Sequence, residues 1–160
     1  MAAQDVILIG VLLFTLGLGL FIIHFVMTTI SDNMLDVTEI NQSDAAVEVF
    51  EGMDEVASRF DAVVFGLFIG LVLALIISSW FIGGHPIFMF IYFIVVVLGV
   101  VLSTVLSNTW ETATNMAAFG STIAAFPITN NLLLRLPIYL SVVGFIGLVI
   151  MFAKPYMEQQ

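Results

Sequence analysis

Cysteine is absent from this 160-residue chain. That removes disulfides, a thiolate nucleophile and any cysteine-bound zinc or iron–sulfur centre. Charge is scarce too: 9% of residues are charged, where a soluble domain carries about 25%. With 61% hydrophobic residues and a mean hydropathy of +1.19, there is too little polar surface to cover a water-facing globule. The composition is that of an integral membrane protein. Basic residues are the scarcest class. Three of them (Arg59, Arg135 and Lys154) stand against twelve acidic ones, for a net charge of −9. Such a surface repels nucleic acid and anionic lipid heads.

Several chemical signatures are missing as well. There is no G-x-S-x-G, and neither histidine has an acidic neighbour to orient it. The "GLGL" at 17–20 lies inside an apolar run and is not a phosphate loop, and no EF-hand spacing occurs among the carboxylates. No catalytic, cofactor-binding or metal-ligating residues are expected, and the chain does not read as an enzyme.

Long apolar runs are what the sequence has in abundance. A bilayer core about 30 Å thick is crossed by about 20 helical residues. Four stretches qualify, at about 6–30, 62–82, 87–107 and 136–153. The first lacks a basic n-region and a following A-x-A site, so it reads as a span and not as a signal peptide. The expectation is one all-α transmembrane domain over 1–160, with the four spans in two hairpins. Between the second and third spans "FIGGHPIF" reads as a tight turn: Gly83 and Gly84 end one helix, His85 lies in the turn and Pro86 opens the next.

Four crossings put both termini and "GGHP" on one side, with segments 31–61 and 108–135 on the other. The absence of native cysteine makes this simple to check. Single cysteines at Ser43 and Ser121 are expected to label from one side of the membrane, and those at His85 and Gln159 from the other. Labelling of positions 43 and 85 from the same side would overturn the arrangement.

The loops are unequal in charge. Segment 31–61 carries nine carboxylates against Arg59, a net of −8. From Ser43 to Asp61 it reads as an amphipathic helical extension of the second span, about 43–61, capped by Asn41 or Ser43. Ala46, Val49, Phe50, Met53, Val56, Ala57, Phe60, Val63 and Val64 fall on one face, and Asp44, Glu48, Glu51, Asp54 and Glu55 on the other. Of the apolar set, Val49, Phe50, Met53, Val56 and Phe60 are candidate partner-facing residues. In segment 108–135, Thr112, Met116, Phe119, Ile123 and Phe126 recur at helical spacing, which predicts that the third helix continues to a stop before Pro127. Glu111 and Arg135 each lie near a span end on this side, and they or their neighbours are expected to form an ion pair, with Arg59 the competing partner for Glu111 and Asp61 for Arg135.

Inside the spans no Asp, Glu, Lys or Arg lies away from the ends, which argues against a transporter with a charged midplane site. His24 is expected in an interfacial or interhelical hydrogen bond. Small residues are the clearest remaining pattern. Ala62, Gly66, Gly70, Ala74 and Ser78 recur every four positions in the second span, and Gly99, Ser103 and Ser107 in the third. In lipid, close approach over small residues holds helices together, so these rows read as packing surfaces, within the chain or between chains.

"WFIGGHPIFMFIYFIVVVLGVVLSTVLSNTWE" and "FPITNNLLLRLPIYLSVVGFIGLVIMFAKP" resemble segments of small four-span membrane proteins of bacterial and archaeal viruses that carry an internal lipid membrane. The resemblance covers about residues 60–155 and rests on the "HPIF" turn, "LSN.(W/Y)E", "FP.TN" and "LP.Y". It implies a structural role: populating the virion membrane and meeting a protein shell. The expected partners are the bilayer and other membrane or capsid proteins, basic ones at the acidic face, in a homo- or hetero-oligomer. A holin-type channel and an accessory subunit of a cellular membrane complex are the alternatives.

Overall fold

The computed structural model describes residues 2–38, 42–82 and 86–157, except for the side chains of 2–6, 53, 54, 57, 58, 82, 86 and 154–157. The described chain is helical, with no strand among the described residues. We number the α-helices α1 (Ala2–Leu35), α2 (Asp44–Ser58), α3 (Phe60–Ile82), α4 (Pro86–Thr114), α5 (Gly120–Ala125), α6 (Pro127–Leu134) and α7 (Leu136–Met157); a single 3₁₀ turn, Ala117–Phe119, precedes α5.

Four of these are long and apolar enough to cross a membrane: Ile7–Leu35, Phe60–Phe81, Ile87–Thr114 and Leu136–Ala153. Lipid contains nothing to bond a free amide or carbonyl, so helices that satisfy their own backbone are the solution open to such sequences. Only 17–33% of the most apolar stretch of each span is buried inside the bundle. Phe81, Phe90 and Phe145 are 75%, 67% and 65% exposed, which water would not tolerate on this scale but hydrocarbon accepts. The protein is a multi-pass membrane protein.

Packing does not follow chain order. α1 and α7 each pack against both α3 and α4, whereas α3 and α4, joined through 83–85, make little contact with each other. They lie across the bundle's diagonal. The small-residue rows of the second and third spans therefore do not share a seam. Ala62, Gly66, Gly70 and Ala74 are exposed and Ser78 is half-buried; a Cβ added at Gly66 or Gly70 would meet nothing within 4 Å. Within this chain Gly66 and Gly70 make no close helix contact, while Ala74 and Ser78 line a groove shared with Leu8 and Ile9 of α1. On α4, Gly99, Ser103 and Ser107 are buried.

The close approaches are made by other glycines. A Cβ at Gly10 would lie 3.0 Å from Leu140, one at Gly17 would lie 2.8 Å from Leu133, and one at Gly144 would lie 2.6 Å from Val96. A Cβ at Gly147 would collide with the Tyr92 hydroxyl. These four glycines let α7 and α6 seat against α1 and α4.

Two expected helical continuations differ from what forms. The acidic helix and the second span are separate elements, divided at Arg59, and α2 packs chiefly along α1. The third helix does not run on to Phe126. It ends at Thr114, whose hydroxyl donates back to the Trp110 carbonyl at 3.0 Å, and Met116 takes extended backbone angles (φ −70°, ψ 131°). The stripe read from the sequence is divided: Thr112 and Met116 are exposed, whereas Phe119 lies on a shorter segment folded against α1, its ring inclined to those of Phe21 and Phe25 with centroids 5.2 and 4.8 Å apart.

Candidate functional site

The most built part of the molecule lies where the chain breaks between α5 and α6. The segments Ala117–Ala125 and Pro127–Leu134 meet at an angle of 110°. They fill room that the unequal spans leave open. At 1.5 Å per residue the 18-residue span of α7 is about 27 Å long, whereas the 29 and 28 residues of α1 and α4 reach about 43 Å. The broken pair sits against α1, α3 and α4, ahead of the short helix α7.

Pro127 suits the first position of α6, because the amide it lacks would have no partner there. The next two amides still need acceptors. Phe126 occupies the cap position and has no side-chain acceptor to offer. Asp61, from the first turn of α3, supplies both. Its Oδ2 accepts from Ile128 N at 2.9 Å and its Oδ1 from Thr129 N at 2.6 Å. The carboxylate is 6% exposed, and it faces the positive end of the helix dipole.

The rest of α6 is tied to α4. Trp110 Nε1 donates to Asn130 Oδ1 at 2.9 Å, and Ser107 Oγ donates to the Leu134 carbonyl at 2.7 Å, near the last turn. α6 is thus held at its start, middle and end by three residues on two spans. At the bend, Phe126 is fully buried with its ring edge-on to Phe21 (5.9 Å) and to His24 (5.2 Å), and Phe21 meets Trp110 at 5.1 Å. His24 is buried and faces this aromatic cluster from α1. The buried hydroxyls of Thr122 and Thr129 have no hydrogen-bond partner among the described residues.

Comparison with protein-family models, curated proteins and solved structures finds no match to this chain. The site is therefore read on its own chemistry. Both oxygens of Asp61 are engaged by backbone amides, so the group positions a helix. Among the described residues no three His, Asp or Glu side chains converge as metal ligands would.

The sequence marks Asp61 as an ion-pair candidate for Arg135, not as a helix cap, and does not mark Asn130. A signal existed: a helix opened by "FP" has no acceptor of its own at the cap position, so a buried acceptor has to come from elsewhere. Which acceptor, the sequence does not say. The partner-facing set divides. Val49 and Val56 are exposed, Phe50 is half-buried, Phe60 packs partly against the core, and the Met53 side chain lies outside the described residues. Of the turn residues, Gly83, Gly84 and His85 lie outside the described residues, and Pro86 is the first residue of α4.

The expected Glu111–Arg135 pair does not form. Both side chains are exposed, and among the described residues the ion pair joins Arg59 to Glu55, one turn apart. Asp61 is taken by α6, and exposed ends of long side chains can reach polar surroundings without a partner. Glu111→Gln and Arg135→Gln are therefore each expected to change thermal stability in detergent by no more than about 0.5 kcal/mol, and the double variant by their sum. A coupling above that size would restore the pair.

Trp110→Phe is expected to cost about 1 kcal/mol in the same measurement. It keeps the ring beside Phe21 but leaves Asn130 Oδ1 without its donor. A melting point equal to wild type would show that the bond does not hold α6.

Proposed function

We propose that this protein is a structural, non-enzymatic membrane protein. It packs in a lipid bilayer and contacts neighbouring membrane proteins or a protein shell, in a virion that contains a membrane. The observation that carries the structural role is the use made of the polar groups at the broken helix pair. Asp61, Trp110, Asn130 and Ser107 are all committed to holding α6 in place, against an aromatic plug of Phe21, Trp110 and Phe126. Groups engaged in this way serve the packing of α6 against the spans. The apolar grooves fit the same role. One of about 320 Å³ lies between α4 and α7 and is lined by outward-facing residues such as Phe93, Val97 and Phe145. It is a surface for acyl chains or neighbouring helices.

The virion setting rests on the resemblance in residues 60–155. It is tested by separating intact particles on a detergent-free gradient. Copurification of the chain with particles is expected; recovery from host membranes alone would refute the virion setting.

A holin-type channel is the second reading, favoured by the 110° break, since broken helices at membrane depth line many pores. Release of a small dye from vesicles reconstituted with the purified protein would support it, and tight vesicles would count against it.

A further inference from the structure

We propose that the outward face of α2 is a docking surface for a basic amphipathic helix of a partner protein. α2 carries two parallel rows that its own bundle leaves uncovered. Ala45, Val49, Gly52 and Val56 form an apolar row, spaced four, three and four residues apart, and every one is exposed. Val49 and Val56 are 58% and 55% exposed, and nothing lies within 4 Å of a Cβ built on Gly52. The two valines stand as knobs, with small residues leaving hollows between them, as in a helix–helix seam.

One residue earlier in each case, Asp44, Glu48, Glu51 and Glu55 form an acidic row with the same spacing, also exposed, of which Glu55 is already paired with Arg59. The half-buried residues Ala46, Val47 and Phe50 lie on the other side of the helix, and α2 packs chiefly against α1. The apolar row is therefore additional to the face that attaches α2 to the bundle.

Charge selects the occupant. Hydrocarbon is excluded because the carboxylates beside the valines would have to enter it. Anionic lipid heads are repelled by a segment of net charge −8. A second copy would set acidic row against acidic row. A helix with lysines or arginines flanking an apolar stripe meets both rows at once, its aliphatic stems over the valines and its charged ends at the carboxylates. From Asp44 to Val56 the surface is about three turns long, so the matching segment is about 12 residues. The assignment deepens the structural role proposed above and rests on it, since it names the kind of partner such a protein would meet.

The test uses the full-length protein in phosphatidylcholine nanodiscs. The probe is a fluorescent amphipathic peptide of about 14 residues with leucines in one stripe and lysines flanking it, compared with the same peptide carrying glutamates. At about 0.15 M ionic strength the lysine peptide is expected to bind at one per protein, and the glutamate peptide at least about tenfold more weakly. Val49→Ser with Val56→Ser leaves the charge unchanged and is expected to weaken binding by about tenfold or more. Glu48→Gln with Glu51→Gln is expected to reduce the salt dependence.

Unchanged affinity in the valine variant would reduce the interaction to diffuse attraction and overturn the proposal. Disulfide cross-linking between copies bearing Val49→Cys, without peptide, would assign the face to a second copy and overturn it as well. The particle gradient bears on the virion setting and the peptide titration on this surface, so the two can fail independently.

Discussion

Asp61→Ala is expected to lower the stability of the protein in detergent by about 2–4 kcal/mol, one of its largest single-residue losses. The substitution removes one carboxylate but leaves two buried amides, those of Ile128 and Thr129, without acceptors. Alanine at a cap position usually costs about 1 kcal/mol, because water takes over the freed amide. Here the cap is supplied across the fold, by a residue 67 positions away in sequence from Ile128 and 6% exposed, so water has poor access. Asp61→Asn is the informative companion. It keeps one oxygen acceptor of the same size and places an amide against the second donor, so about half the loss is expected. Thermal unfolding followed by circular dichroism ranks the three proteins. Wild-type stability in the alanine variant would mean that the start of α6 does not depend on Asp61.

Gly147→Val is the second large effect, expected at about 3 kcal/mol. A Cβ at Gly147 would collide with the Tyr92 hydroxyl and lie 2.9 Å from Ser79 Oγ. Tyr92 and Ser79 are themselves buried, at 1% and 0% exposed, so neither has free space to withdraw into. α7 would have to move off both α3 and α4, losing dispersion contacts along each, and in lipid those contacts are a main source of helix–helix affinity. Gly70→Ile is the control. Gly70 faces outward with nothing near its missing Cβ, so the larger side chain is expected to change stability by no more than about 0.5 kcal/mol in a single copy. A large loss at Gly70 that grows weaker on dilution would instead show that the α3 row packs between copies.

The two glycines show how far the sequence could be read. Gly66 and Gly70 stood out because they recur at four-residue spacing, and they face away from the fold. Gly144 and Gly147 are three apart in an unremarked span, and they make the close contacts. Nothing in the hydropathy distinguishes them. A helix in water is polar on one side, and its 3.6-residue period reveals the buried face. A helix in lipid is apolar all round, so the face that meets protein and the face that meets hydrocarbon carry the same residue types. Segment 108–135 differs for a related reason: Phe119, Ile123 and Phe126 have helical spacing in the sequence, but they fall in a 3₁₀ turn, in α5 and at the break before α6, and the aromatic residues of α1 hold Phe119 and Phe126 there.

The sequence by itself determined that the chain is helical and crosses a membrane, where the four spans lie, and that one loop is strongly acidic. Those properties follow from transfer free energies summed over about 20 residues at a time, which any arrangement of the helices would share. Only the tertiary structure decided that α3 and α4 stand diagonally, that α6 is a separate helix lodged among the spans, and that Asp61 is its cap. These depend on single contacts between residues distant in the chain, such as a carboxylate oxygen 2.6 Å from the amide of Thr129, and no local pattern encodes a distance of that kind.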